Sequence, residues 1–180
     1  LSPKVAARVA QFRIALEEQM GKKFNNVDSY AGSPAQIWAM LSDQAYWEGK
    51  YSTLGASNLQ WKTFNASDTS LTVSSVREVA ANLPAAAKKV IGETAEVTQT
   101  EEWTKSGDEL ACKITITTKG APGGTDGTMS VKADGSGSTW SADFDIKVSI
   151  PLLGKKLEGI MLDETGENFV KEKAFNDEWL

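Results

Sequence analysis

The chain has 180 residues, 41% hydrophobic and 24% charged, with 19 Lys and Arg against 24 Asp and Glu and a formal charge of -5. These values fit one soluble globular domain with at most a small appendage, and a chain of this length buries roughly 70% of its unfolded surface, enough for a core and a small cavity. Histidine is absent, which excludes imidazole-based nucleophilic catalysis and the usual zinc and haem ligands. Cys112 is the only cysteine, so an intramolecular disulfide or a Cys-x-x-Cys centre is excluded and a reducing compartment is expected. The acidic balance speaks against a nucleic-acid partner, because that affinity rests on clustered Lys and Arg. No apolar run approaches the roughly 20 residues of a membrane span and no leader-like sequence opens the chain, so a cytoplasmic location without stable membrane insertion is expected.

Along Pro3 to Met20, Val5, Val9, Phe12, Leu16 and Met20 fall on one stripe at steps of three and four, which predicts an amphipathic helix stopped by Gly21. This extension, residues 1–21, is expected to dock on its own domain or on a second copy of the chain as a homodimer; a membrane-surface role is the alternative. Lys23 to Ala31 follows as a first strand. Ser33 as N-cap and Pro34 at the first helical position open a helix carrying Ile37, Met40 and Leu41, and Asp43 caps a short second helix from Gln44 to Lys50.

From Ser57 the period changes to two, the mark of half-buried antiparallel strands. Leu59 and Trp61 mark one strand, Leu71, Val73 and Val79 a second, Val97 and Trp103 a third, and Leu110, Cys112, Ile114 and Ile116 a fourth. Met129 with Val131, then Trp140 through Phe144 to Ile150, complete the series. A short helix is expected within Ala80 to Gly92. The glycine-rich run Lys119 to Gly127 lacks the Gly-Lys-Ser/Thr ending of a phosphate loop and is expected to be a hairpin loop. After Pro151 a long, unusually apolar helix follows. Gly154, Gly159 and Gly166 each weaken its propensity by about 1 kcal/mol, a cost that close approach to another backbone or to a bound molecule would compensate. Cys112 is expected to be an inert core thiol.

This order, strand, two helices, about six antiparallel strands and a long final helix, predicts an α+β domain. It resembles the helix-grip fold of the START-like superfamily, also called SRPBCC or Bet v 1-like. Ser33-Pro34-Ala35, Asp43 with Tyr46-Trp47, Glu101-Glu102-Trp103, Gly120-Ala121-Pro122-Gly123, Val148 through Glu158 and the terminal Trp179 are similar to an uncharacterised bacterial branch of it. The resemblance covers residues 22–180. It implies a curved sheet wrapped around the C-terminal helix, a cavity between them and a hydrophobic, lipid-like small molecule as partner. No cofactor is expected, and no metal, because Asp143 and Asp145 share the solvent face and no oxygen-ligand calcium loop has the needed spacing.

With the apolar side of each strand turned to that cavity, Trp61, Trp103, Ile114, Met129, Trp140 and Phe144 line it, with Leu157 and Met161 from the helix. Arg77, Gln99 and Glu101 fall in the same register and form a polar spot that orients the head of an otherwise apolar ligand. The alternative is that Arg77 and Glu101 lie at strand ends and merely satisfy one another. Glu101 and Glu102 point to opposite faces and form no acid-base dyad, so no catalytic residue is assigned. Binding or transport is therefore the leading reading. A cyclase- or hydrolase-like enzyme using the same pocket and an interaction module without a ligand are the alternatives.

Overall fold

The computed structural model describes residues 3–180, the side chains of residues 14–19 excepted. Its elements are α1 (Pro3–Gln19), β1 (Lys22–Tyr30), α2 (Pro34–Leu41), α3 (Gln44–Thr53), β2 (Ser57–Ala66), β3 (Ser70–Ala80), α4 (Ala85–Ile91), β4 (Thr94–Ser106), β5 (Glu109–Thr118), β6 (Ala121–Asp134), β7 (Gly137–Val148) and α5 (Gly154–Trp179). The seven strands form one antiparallel sheet in the order β1-β7-β6-β5-β4-β3-β2, and α5 lies across its apolar face. Register shifts in β2 and between Ile116 and Thr118 bend the sheet, since an extra residue in one strand kinks it locally. This is the START-like helix-grip architecture expected from the order of elements.

Local signals explain the helices around the sheet. Ser33 and Gln36 form a reciprocal capping box and Pro34 occupies the first turn, so α2 begins where predicted. The Asp43 carboxylate accepts from the Ala45 N–H at 2.9 Å to start α3, which runs one turn further than expected, to Thr53.

Two expectations change. The glycine-rich run is strand rather than loop from Ala121 onward, and only Lys119 and Gly120 turn the chain. Gly124 (φ 144°) makes this possible, because a Cβ there would sit 2.2 Å from the Ile116 carbonyl oxygen. Secondly, Val5, Val9, Phe12 and Met20 are exposed and do not dock α1 on the sheet domain. The Leu16 side chain of that stripe lies outside the described residues. The described tie near its root is the Lys155 ammonium donating to the Met20 carbonyl.

α5 is pinned at both ends. At its start Gly154 allows an approach that would put a Cβ 2.2 Å from the Val148 carbonyl oxygen, and the buried Glu158 carboxylate accepts from the Val148 N–H at 3.0 Å. At its far end Asn176 accepts from Tyr46 Oη at 2.9 Å and donates to Tyr30 Oη at 3.2 Å, all three buried. Close approach thus compensates Gly154, whereas a Cβ on Gly159 would meet nothing. Two apolar clusters coincide with these anchors. Tyr30, Trp38, Tyr46, Trp47, Trp103 and Trp140 fill one end, and Ala87 of α4 packs with Val148 and Leu157 at the other. Between the pins α5 rests on β1 and β7, where Phe169 packs on Phe24 and Phe144, and leaves space over the neighbouring strands.

Candidate functional site: a half-open cavity under the last helix

The space under the middle of α5 encloses about 200 Å³, half open to solvent and mostly apolar in its lining. Its floor is the inner face of β3 to β7, and its roof is a face of α5 that includes Leu157, Met161, Thr165, Phe169 and Glu172 at steps of three and four. Leu83 before α4, Ile91 at the end of α4, and Leu54 complete the lining on that side.

Of the residues read from the sequence, Arg77, Gln99, Glu101, Ile114, Met129, Phe144, Leu157 and Met161 line this cavity. Trp61, Trp103 and Trp140 do not. Trp61 sits beyond Tyr51 and stacks on it and on Phe64, because the shifts in β2 turn that edge strand away. Trp103 and Trp140 face inward but meet edge to face at 5.3 Å between ring centroids within the plugged end. Period-two alternation gives the face of a strand but not the position along it where the helix lifts away.

The polar side chains form a connected row. Arg77 Nη2 donates to Gln99 Oε1 at 2.6 Å, Gln99 Nε2 donates to Glu101 Oε1 at 2.6 Å, and Trp103 Nε1 donates to Glu101 Oε2 at 2.8 Å. Arg77 lies opposite Val97 in the ladder, one diagonal step from Gln99, and Glu101 is 1% exposed, so these groups are not at frayed strand ends. Lys50 of α3 joins them, 4.0 Å from Glu101 Oε1 and 2.9 Å from Glu172 Oε1, with its ammonium 4.4 Å from the Trp47 ring centroid. Lys50, Arg77, Glu101 and Glu172 cancel in formal charge. Burial works against the Lys50 ammonium, but Glu172, Tyr46, Glu101 and Tyr51 outweigh it and hold its pKa well above the ordinary value. Burial lowers the pKa of Arg77, whose guanidinium carbon lies 4.1 Å from the Tyr51 ring centroid.

One end of this row is unfinished. Arg77, its guanidinium over the Tyr51 ring, has a buried Nη1 that lacks a hydrogen-bond partner, a state that costs about 1–3 kcal/mol. Both residues line the cavity. Sequence reasoning missed Lys50, Tyr51 and Glu172, although helical spacing carried the signal. Tyr46, Trp47, Lys50 and Tyr51 share one stripe of α3, and Glu172 continues the stripe through Leu157, Met161, Thr165 and Phe169.

Cys112 is buried, and burial, reinforced by Glu101, drives its thiol pKa far up, so it stays protonated and inert. Among the described residues no cluster of His, Cys, Asp or Glu is placed to hold a metal ion, and no helix is long and apolar enough to cross a membrane.

Glu164 stands in the half-exposed wall, where burial first and then Glu167 raise its pKa. A carboxyl whose folded pKa is raised contributes stability that is complete below the unfolded pKa of about 4.3 and is lost as pH rises through the folded value. Glu164→Gln is therefore expected to raise the melting temperature relative to the parent at pH 8 and to lose that advantage at pH 4. Equal differences at the two pH values would show that this carboxyl is not strained.

The geometry matches known folds. A Thermus thermophilus protein, TTHA0849, superposes with a TM-score of 0.60 at 13% identity over 86% of this chain and 96% of its own. A STAR-related lipid transfer protein from Xanthomonas axonopodis gives 0.57 at 12% identity over 84% of each chain. The Zhui aromatase/cyclase from Streptomyces sp. R1128 gives 0.55 at 10% identity over 86% of this chain and 90% of its own. At such identities the likeness establishes the START-like fold alone. No curated protein matches the chain. A family model does match, over residues 25–180, and it is described as "Protein of unknown function (DUF2505)". With that match spanning most of its length, the chain is a member of the DUF2505 family built on the START-like helix grip.

Proposed function

We propose that this protein binds and carries a small, mainly apolar molecule between the sheet and α5, with an oxygen of the guest accepting from Arg77 Nη1. The observation that carries this reading is an apolar-walled cavity whose lining includes Arg77, a buried guanidinium with one nitrogen that has no partner of its own. A buried ion row is a poor device for stability, because well-packed apolar residues of similar volume are often as good or better. Its position at a cavity wall fits a role in recognition. The fold neighbours named as a lipid transfer protein and an aromatase/cyclase lean the same way. Ligand work falls to residues 22–180, with the extension 1–21 outside it.

Size narrows the guest. A cavity of about 150 Å³ accommodates benzene, so 200 Å³ encloses about eight non-hydrogen atoms, and a longer tail would leave through the open side. The test is native mass spectrometry of protein purified from its own host, alongside titration with butylbenzene read from the methyl resonances of Met129, Met161 and Ile114. Those three side chains line the cavity, whereas Trp61, Trp103 and Trp140 do not, which makes methyl shifts a more direct readout than tryptophan emission. A copurifying apolar molecule, recovered unchanged, and saturable methyl shifts are expected. No adduct together with no shift would overturn the reading, and recovery of a converted product would replace a carrier with an enzyme.

A further inference from the structure

Charge at the cavity wall limits what head group a guest can carry, an inference that rests on the binding role proposed above. The charged residues of the lining are two cations, Lys50 and Arg77, and three carboxylates, Glu101, Glu164 and Glu172. Lys50 is committed, with Glu172 Oε1 at 2.9 Å and Glu101 Oε1 at 4.0 Å. Arg77 is not paired directly with a carboxylate, but Gln99 already takes its Nη2 and relays it to Glu101. The donor left over is Nη1, buried with no partner on a side chain that is 8% exposed.

A carboxylate placed there would gain one charged hydrogen bond. It would also add a third carboxylate to a buried row whose two cations and two carboxylates already cancel, where an uncompensated ion costs several kcal/mol. A neutral carbonyl or hydroxyl oxygen takes the same hydrogen bond without that cost, and hydrogen bonds to a charged donor are among the stronger kind. The geometry points to a neutral amphiphile, an apolar body ending in a carbonyl or hydroxyl oxygen seated on Arg77, in preference to its carboxylate counterpart.

Octanamide and octanoate test this, because their heads are nearly the same shape and differ in charge. By calorimetry at pH 7 and constant ionic strength, octanamide is expected to bind about tenfold or more tightly than octanoate, and Arg77→Met is expected to weaken octanamide by about tenfold. Circular dichroism and a urea midpoint establish that the variant is folded; the comparison on the parent protein does not depend on it. Octanoate binding as tightly as octanamide, or more so, overturns the inference while leaving the cavity reading intact. Unchanged octanamide affinity in a folded Arg77→Met overturns the seat on Arg77. Failure of octanamide to bind a protein that takes up butylbenzene overturns the head-group inference alone, and failure of both probes overturns it together with the binding role.

Discussion

Glu101→Ala is expected to cost about 3–5 kcal/mol of stability, a large share of the roughly 5–15 kcal/mol that holds a domain of this kind together. The carboxylate is the hub of the buried row. It accepts from Gln99 Nε2 and Trp103 Nε1 and lies 4.0 Å from the Lys50 ammonium. Truncation leaves two donors without an acceptor and leaves Lys50 with Glu172 alone, in a site where Lys50 is 4% exposed. Leaving a partner behind is the expensive part, so Glu101→Gln, which keeps an acceptor for Trp103, is expected to cost clearly less. The double variant Lys50→Met with Glu101→Leu removes both charges and is expected to recover much of the loss. Urea denaturation of the four proteins measures this. A cost below about 1 kcal/mol for Glu101→Ala would mean that water already solvates the carboxylate and that the row is not a buried network.

Such an arrangement has a physical reading beyond stability. The row spans four elements: α3 supplies Lys50 and Tyr51, β3 supplies Arg77, β4 supplies Gln99 and Glu101, and α5 supplies Glu172. It therefore fixes the separation between helix and sheet at the deep end of the cavity. With Glu158 on the Val148 N–H and Asn176 between Tyr46 and Tyr30, α5 is held at three polar points, and part of its intervening apolar side faces open space while Phe169 packs on Phe24 and Phe144. An apolar interface alone would favour collapse of that gap. Polar fastenings have fixed lengths and resist it.

The sequence made the strands legible because alternation such as Leu110, Cys112, Ile114 and Ile116 against Glu109, Lys113 and Thr115 has one consistent face. The polar spot was legible for the same reason, since Arg77, Gln99 and Glu101 share the register of Leu71, Val73 and Trp103. What alternation could not show was distance along the strand. Trp103 is two residues from Glu101 and on the same face, yet it belongs to the plug, because α2, α3 and the far end of α5 close over that end of the sheet. The helical partners were missed for a different reason: Lys50 and Glu172 read as solvated charges unless each is set on the apolar stripe of its own helix. The glycine-rich strand was misread because Gly123 and Gly124 look like turn residues, although here they let β6 pass close to β5 and β7.

Ala95→Phe is expected to abolish ligand uptake while leaving the protein as stable as its parent or more so. Ala95 is 6% exposed, points inward from β4 opposite Val79, and belongs to the cavity lining. A strand fixes the direction of its Cβ, so a phenyl ring at this position enters the space and has little freedom to swing out. Filling a void with apolar atoms commonly adds about 0.5–2 kcal/mol, whereas overpacking a site already full costs about 1–3 kcal/mol. The sign of the stability change thus reports whether 200 Å³ of unfilled space exists, and butylbenzene titration reports whether that space is used. A rise in the urea midpoint with loss of the methyl shifts at Met129 and Met161 is the outcome that joins cavity to function. A fall in the midpoint with unchanged shifts would place the guest elsewhere, because a pocket that still binds after its wall is filled is not the one under α5. The opposition between the two readouts follows from one cause: the space that weakens the core is the space the proposed guest would occupy.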